Sequence, residues 1–97
     1  MNRSTSQRQL EAAAAMFRAL ADPPRLKTLI WLAQKERTVT ELAELTDEKI
    51  ATVSARLKVL FMARLVKRRR EGQNIRYAIT DAHVINLVRN AVDHASH

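Results

Sequence analysis

Apolar positions along the chain recur first at helical spacing, then at strand spacing, then at helical spacing again. In QRQLEAAAAMFRALA (residues 7–21), Leu10, Ala13, Phe17 and Leu20 form one stripe on a segment of high helix propensity. ADPPR ends that run, because two prolines cannot continue a helix, whereas Pro24 suits the first turn of a new one. This second helix, about 24–34, carries Leu26, Leu29, Ile30 and Leu32 toward a core. Thr38-Val-Thr-Glu41 has the form of a capping box and opens a short helix to about Leu45. Thr46-Asp47 breaks it, and either residue can cap a fourth helix in EKIATVSARLKVLFMARL, where Ile50, Val53, Leu57 and Leu60 share a side. The period then shortens. Residues 65–70 and 75–79 flank Glu71-Gly72-Gln73-Asn74, which holds the only glycine, and predict a two-stranded β-hairpin with a basic rim. Thr80-Asp81 can cap a final helix running through 97.

The expected fold is therefore mostly α with a small β-hairpin: five helices plus a two-stranded wing, in one domain over residues 1–97. Residues 1–6 are polar and expected to be disordered. A chain of 97 residues with 46% apolar composition folds, but its core is small enough that a partner subunit is expected to complete it. No cysteine is present, which removes disulfides, thiolate metal sites and thiol redox chemistry. No apolar run approaches the roughly 18–20 residues of a membrane span, and no signal-peptide core is seen; a cytoplasmic protein without a membrane partner is expected.

Charge narrows the function. The formal net charge is +7, and residues 56–76 hold eight of the seventeen Lys and Arg against one acid, Glu71. Such asymmetry points to a polyanion, most often nucleic acid. A short helix, a tight turn and a second helix with small and polar outer residues form the helix-turn-helix plan. At 100° per residue the outer face of the fourth helix centres on Ala51, Ala55 and Lys58, flanked by Thr52 and Ser54. Small residues permit close approach of the backbone, and hydroxyls bond phosphates or base edges. Lys49 and Arg56 fall at the margins, where phosphates would run. On the hairpin, Arg68, Arg69 and Arg70 alternate sides, so not all three can face DNA; Arg76 lies on the returning strand and Gln73 at the tip.

FRALADPPRLKTLIWL, TVTELAEL, ATVSARLKVL and ARLVKRRREGQNIRYAIT, followed by the terminal helix, resemble in order and spacing the ArsR/SmtB family of bacterial winged-helix repressors, over roughly residues 16–97. The resemblance implies a winged helix-turn-helix homodimer bound to double-stranded operator DNA, with recognition helices in successive major grooves, displaced by an inducer that is usually a metal ion. The chain has no Gly-rich or nucleophile motif, so no enzyme activity and no small organic substrate are expected. One departure is local: the turn before the recognition helix often reads like Gly-Leu-Ser-Gln in the family, whereas here it is Asp47-Glu48-Lys49-Ile50.

All three histidines lie in the last segment, as His83, His94 and His97. The family's soft-metal type places cysteines where the third helix begins; Thr38 and Thr40 stand there instead. Its terminal-helix type resembles Asp-x-His followed by His and then His or Glu three further on, which Asp81, His83, His94 and His97 match. Physical reasoning reaches the same place. Thirteen residues of helix separate Asp81 from His94 by about 20 Å, whereas zinc holds its ligand atoms at about 2.0–2.2 Å. One helix cannot bring both ends to one ion, but two antiparallel copies can, giving two equivalent sites across a twofold interface. Three imidazoles and a carboxylate suit Zn(II), with Co(II) or Ni(II) next. The expected protein is a zinc-released repressor. Its rivals are a nickel- or cobalt-responsive or metal-independent repressor of the same family, and an architectural nucleic-acid-binding module without inducer.

Overall fold

A computed structural model describes residues 5–96. The elements run α1 (Gln7–Leu20), α2 (Pro23–Gln34), β1 (Arg37–Thr38), α3 (Val39–Thr46), α4 (Ile50–Met62), β2 (Val66–Glu71), β3 (Asn74–Ile79) and α5 (Ala82–Ala95). This is the winged helix-turn-helix architecture, with α3 and α4 as the two helices of the motif and β2–β3 as the wing.

Local chemistry accounts for most boundaries. Asp22 caps α2, its Oδ2 accepting from the Arg25 amide at 3.1 Å, and the two prolines take the first turn, where no amide donor is needed. Thr38 and Glu41 close the expected capping box at 3.1 and 2.8 Å. The hairpin turns through Gly72 and Gln73, with positive φ at Gly72 alone (φ 63). A glycine in the first of two turn positions is the type II′ arrangement, whose twist matches that of the strands.

The structure departs from the sequence reading at four places. Ser6 is not frayed: it caps α1 in a reciprocal capping box with Gln9, at 3.1 and 2.8 Å, while residues 1–4 lie outside the described residues. The sheet has three strands, ordered β1-β3-β2, because Arg37 and Thr38 pair with Tyr77 and Arg76. Neither Thr46 nor Asp47 caps α4. Asp47 is used to end α3 in the left-handed region (φ 55), which moves the N-cap of α4 to Lys49, a residue whose side chain cannot accept a hydrogen bond. Ile50, at the resulting helix start, is 55% exposed and leaves the core to Val53, Leu57 and Leu60.

The core joins these elements through Leu29 and Leu32 of α2, Leu42 of α3, the α4 trio, Leu65 and Val66, Tyr77 and Ile79 of β3, and Val84 and Val88 of α5. Each fully buried leucine contributes about 1.5–3 kcal/mol of transfer free energy. The two terminal helices are only half used. Leu10 and Phe17 on α1 are 47% and 59% exposed, and Val92 on α5 is 40% exposed. No described helix is long and apolar enough to cross a membrane.

Candidate functional site

Helix α4 and the wing meet along one groove. Its walls are Ala51, Ser54, Ala55 and Lys58 on the helix, Phe61 and Met62 at the helix end, and Arg68 with Tyr77 on the sheet. Buried Val53, Leu57 and Leu60 turn one face of α4 inward, and this leaves Ala51, Thr52, Ser54, Ala55 and Lys58 exposed on the other. Arg68 is placed by stacking: its guanidinium carbon lies 4.1 Å from the Phe61 ring centroid, a cation–π contact that holds the charge at the groove. Lys49 is exposed at the helix start, Gln73 at the wing tip and Arg70 on the wing edge. The combination of small residues, hydroxyls and flanking cations can admit a nucleic-acid backbone and read base edges.

Three of the arginines are otherwise engaged. Arg56 does not stand at a phosphate-facing margin. Its guanidinium forms a two-pronged pair with Glu48, at 2.8 and 2.6 Å, and only 9% of its side chain is exposed. Arg69 is drawn to Glu36 at 2.5 Å and to Glu71 at 3.3 Å. Arg76 is held by Glu71 at 3.0 Å and by Glu41 at 3.3 Å. Three of these acids titrate low. The two hydrogen bonds from the Arg56 guanidinium hold Glu48 down to about 2. Glu71 is lowered by hydrogen bonds from Arg76 and Arg69, and Glu41 chiefly by the Thr38 amide it caps. The Arg56–Glu48 and Arg69–Glu36 pairs join residues 8 and 33 apart, and no local pattern in the sequence announces either.

The histidine region is simple in one chain. Asp81 caps α5, with Oδ1 accepting from the amides of His83 at 2.9 Å and Val84 at 3.3 Å. His83 Nδ1 lies 3.5 Å from the same oxygen, and its side chain is 97% exposed. An oxygen and a nitrogen donor are thus side by side at the start of α5. His94 is exposed in its last turn, and His97 lies outside the described residues. Among the described residues no three His, Cys, Asp or Glu side chains gather in one chain. A carboxylate oxygen and an imidazole nitrogen are donor types that a borderline cation such as zinc accepts, but two of them in one place are fewer than the four of a closed zinc site.

The β2–β3 wing and the α3–α4 pair define a winged helix-turn-helix protein. Residues 22–68 match the family described as bacterial regulatory protein, arsR family, and the chain belongs to that family. It is 43% identical over 86 residues to a transcriptional repressor SmtB homolog of Synechocystis sp., covering 89% of this chain and 65% of the relative. It is 45% identical over 82 residues to the HTH-type transcriptional regulator KmtR of Mycobacterium tuberculosis, covering 84% of this chain and 63% of the relative. The chain thus spans just under two thirds of the length of both. Among solved structures, a homodimeric winged helix-turn-helix DNA-binding domain from Mycobacterium bovis superposes with a TM-score of 0.88 at 34% identity, over 99% of this chain and 91% of that one.

Proposed function

We propose that this protein is a transcriptional repressor that binds operator DNA as a homodimer and is released from it by Zn(II). The groove shared by α4 and the wing carries the DNA-binding part of this reading, since the two elements offer Ala51, Ser54, Ala55, Lys58 and Arg68 on one continuous surface. Lys49, Thr52, Arg70 and Gln73 extend that surface. Arg69 and Arg76 join it only by leaving their carboxylate partners, and Arg56 belongs to the scaffold. The relatives support the reading: the curated ones are named as transcriptional regulators, and the Mycobacterium bovis domain is described as homodimeric and DNA-binding.

The half-exposed apolar residues of α1 and α5 are the faces offered to a second subunit. With α5 antiparallel to its copy, Asp81 and His83 meet His94 of the partner subunit and His97 of the partner subunit, twice per dimer. Zn(II), when bound, supplies a coordinate link between subunits and no redox chemistry. The chain's own parts convert that link into release. Helix α5 packs Val84 and Val88 on the core beside Leu29 of α2, so a change in the angle between the two α5 helices moves each body with its α4. Two recognition helices must lie about 34 Å apart to enter successive major grooves, and a dimer held at another spacing loses one of them. The coupling is reciprocal: DNA weakens zinc binding by the factor by which zinc weakens DNA binding.

The test is fluorescence anisotropy of a labelled operator duplex at fixed salt, with and without Zn(II), Co(II) and Ni(II), since phosphate contacts make affinity salt-dependent. Wild type should dissociate with zinc, and His94→Ala should bind DNA normally but stay bound. A His94→Ala protein that zinc still releases contradicts the site. A wild type released by no metal favours the metal-independent or architectural alternatives.

A further inference from the structure

The turn between α3 and α4 lacks the usual device for setting a helix's direction. Lys49 is the N-cap of α4 and makes no side-chain cap bond. The turn is instead tied from within the helix. Arg56, on the second turn of α4, reaches back to Glu48 with both nitrogens, Nη1 to Oε1 at 2.8 Å and Nη2 to Oε2 at 2.6 Å. Nη1 also lies 3.4 Å from the Thr28 hydroxyl on α2, and that hydroxyl donates to the Pro24 carbonyl at 2.9 Å. Thr28 is 2% exposed, so the second anchor is inside the molecule. A planar fork on a carboxylate fixes orientation as well as distance. One side chain therefore ties the entry turn, α4 and α2 together, beside the residues that face the groove.

We propose that Arg56 and Glu48 are positioning residues for DNA reading: their pair sets the angle at which α4 enters the major groove, and neither contacts DNA. This rests on the DNA-binding role proposed above. Losing the pair lets the start of α4 swing, which misplaces Ala51, Thr52 and Ala55 against base edges while leaving the exposed lysines and arginines to attract phosphates. Sequence discrimination falls and general affinity persists.

The sign of one substitution separates this from a phosphate contact. If Arg56 reached DNA, Glu48→Gln would free it and remove a negative charge, so binding would tighten. Positioning requires the opposite. The probes are a fluorescein-labelled duplex enriched from a random pool by the wild-type protein, and a scrambled duplex of the same composition, titrated at several salt concentrations. Glu48→Gln, Arg56→Gln and Arg56→Lys should each weaken binding to the enriched duplex about tenfold, the worth of one charge-assisted bond, and leave the scrambled duplex within about twofold. The Glu48→Gln/Arg56→Gln double variant should be no weaker than either single, because both remove the same tie. The salt slope should not change, and far-UV circular dichroism should show folded protein throughout. Lysine matters here because it keeps the charge but not the fork. Two results overturn the proposal: Glu48→Gln binding the enriched duplex as tightly as wild type or tighter, or Arg56→Gln reducing the salt slope by about one. A wild-type protein that enriches no sequence overturns the DNA-reading role itself.

Discussion

Arg64 adopts φ 63, the left-handed region, which costs an L residue about 1 kcal/mol or more relative to glycine. The end of α4 demands it. The Leu65 amide donates to the Leu60 carbonyl and the Arg64 amide to that of Phe61, both at 3.0 Å, closing a Schellman motif with Leu60 and Leu65 fully buried against the core. Arg64→Gly should therefore stabilise the protein by about 1 kcal/mol, raising Tm by about 4–8 °C at fixed protein concentration; a lower Tm would contradict this account of the turn. Glu48 gives a second test at this scale. Unfolded, a glutamate titrates near about 4.3; here it is held at about 2. A depressed carboxylate contributes stability that is fully present above the unfolded value and is lost as pH falls toward the folded one. The Tm of wild type should exceed that of Glu48→Gln at neutral pH, then fall more steeply below about pH 4.3. The two melting curves should converge near pH 2.

Within the wing, charges are balanced as well as presented. Arg69 and Arg76 are opposite each other in the β2–β3 register, and like charges in that position repel. Glu71 bonds both, and Glu36 and Glu41 take one each. Glu71→Gln should loosen the hairpin, remove one negative charge from the wing and leave Arg69 and Arg76 with one carboxylate each: wing amides should exchange hydrogen faster, and affinity for scrambled DNA at low salt should rise a few-fold, about what one added phosphate contact supplies. Unchanged exchange and affinity would mean that Glu71 is incidental. The wing also shows what a sequence can reveal of an element. Gly72 between turn formers, Thr38 three residues before Glu41, and Asp81 ahead of an apolar stripe are local signals, and each marks the boundary it was expected to mark. The two-residue strand β1 is too short to carry an alternation, and its partner residues lie some forty positions away. Asp47 reads equally as a stop or a cap, and only the backbone decides that it ends α3. Arg56 has the composition of a DNA contact, yet the carboxylate that removes it from the surface is two turns back and outside the helix. Of the candidate DNA face, the exposed α4 residues were legible from period alone, whereas the fate of each arginine depends on tertiary pairs.

At the scale of the molecule, the chain is longer than a self-sufficient globule. Its radius of gyration is 14.2 Å, against about 12.5 Å for a compact domain of this length. Leu10, Phe17 and Val92 remain half-exposed on α1 and α5, the faces a twofold partner would cover in the proposed dimer. The proposed antiparallel pairing of α5 would set Asp81 and His83, at one end of the helix, against His94 at the other.

The proposed sharing of ligands between subunits makes a distinctive demand on mixtures. In His83→Ala homodimers every site lacks one ligand, and in His94→Ala homodimers every site lacks another. A heterodimer of the two concentrates both lesions in one site and leaves the second complete. After unfolding and refolding as a 1:1 mixture, half of the dimers are mixed, so tight Co(II) or Zn(II) binding should return to about a quarter of the wild-type stoichiometry, although neither variant alone binds. A mixture that binds no more metal than its separate components would contradict the intersubunit site.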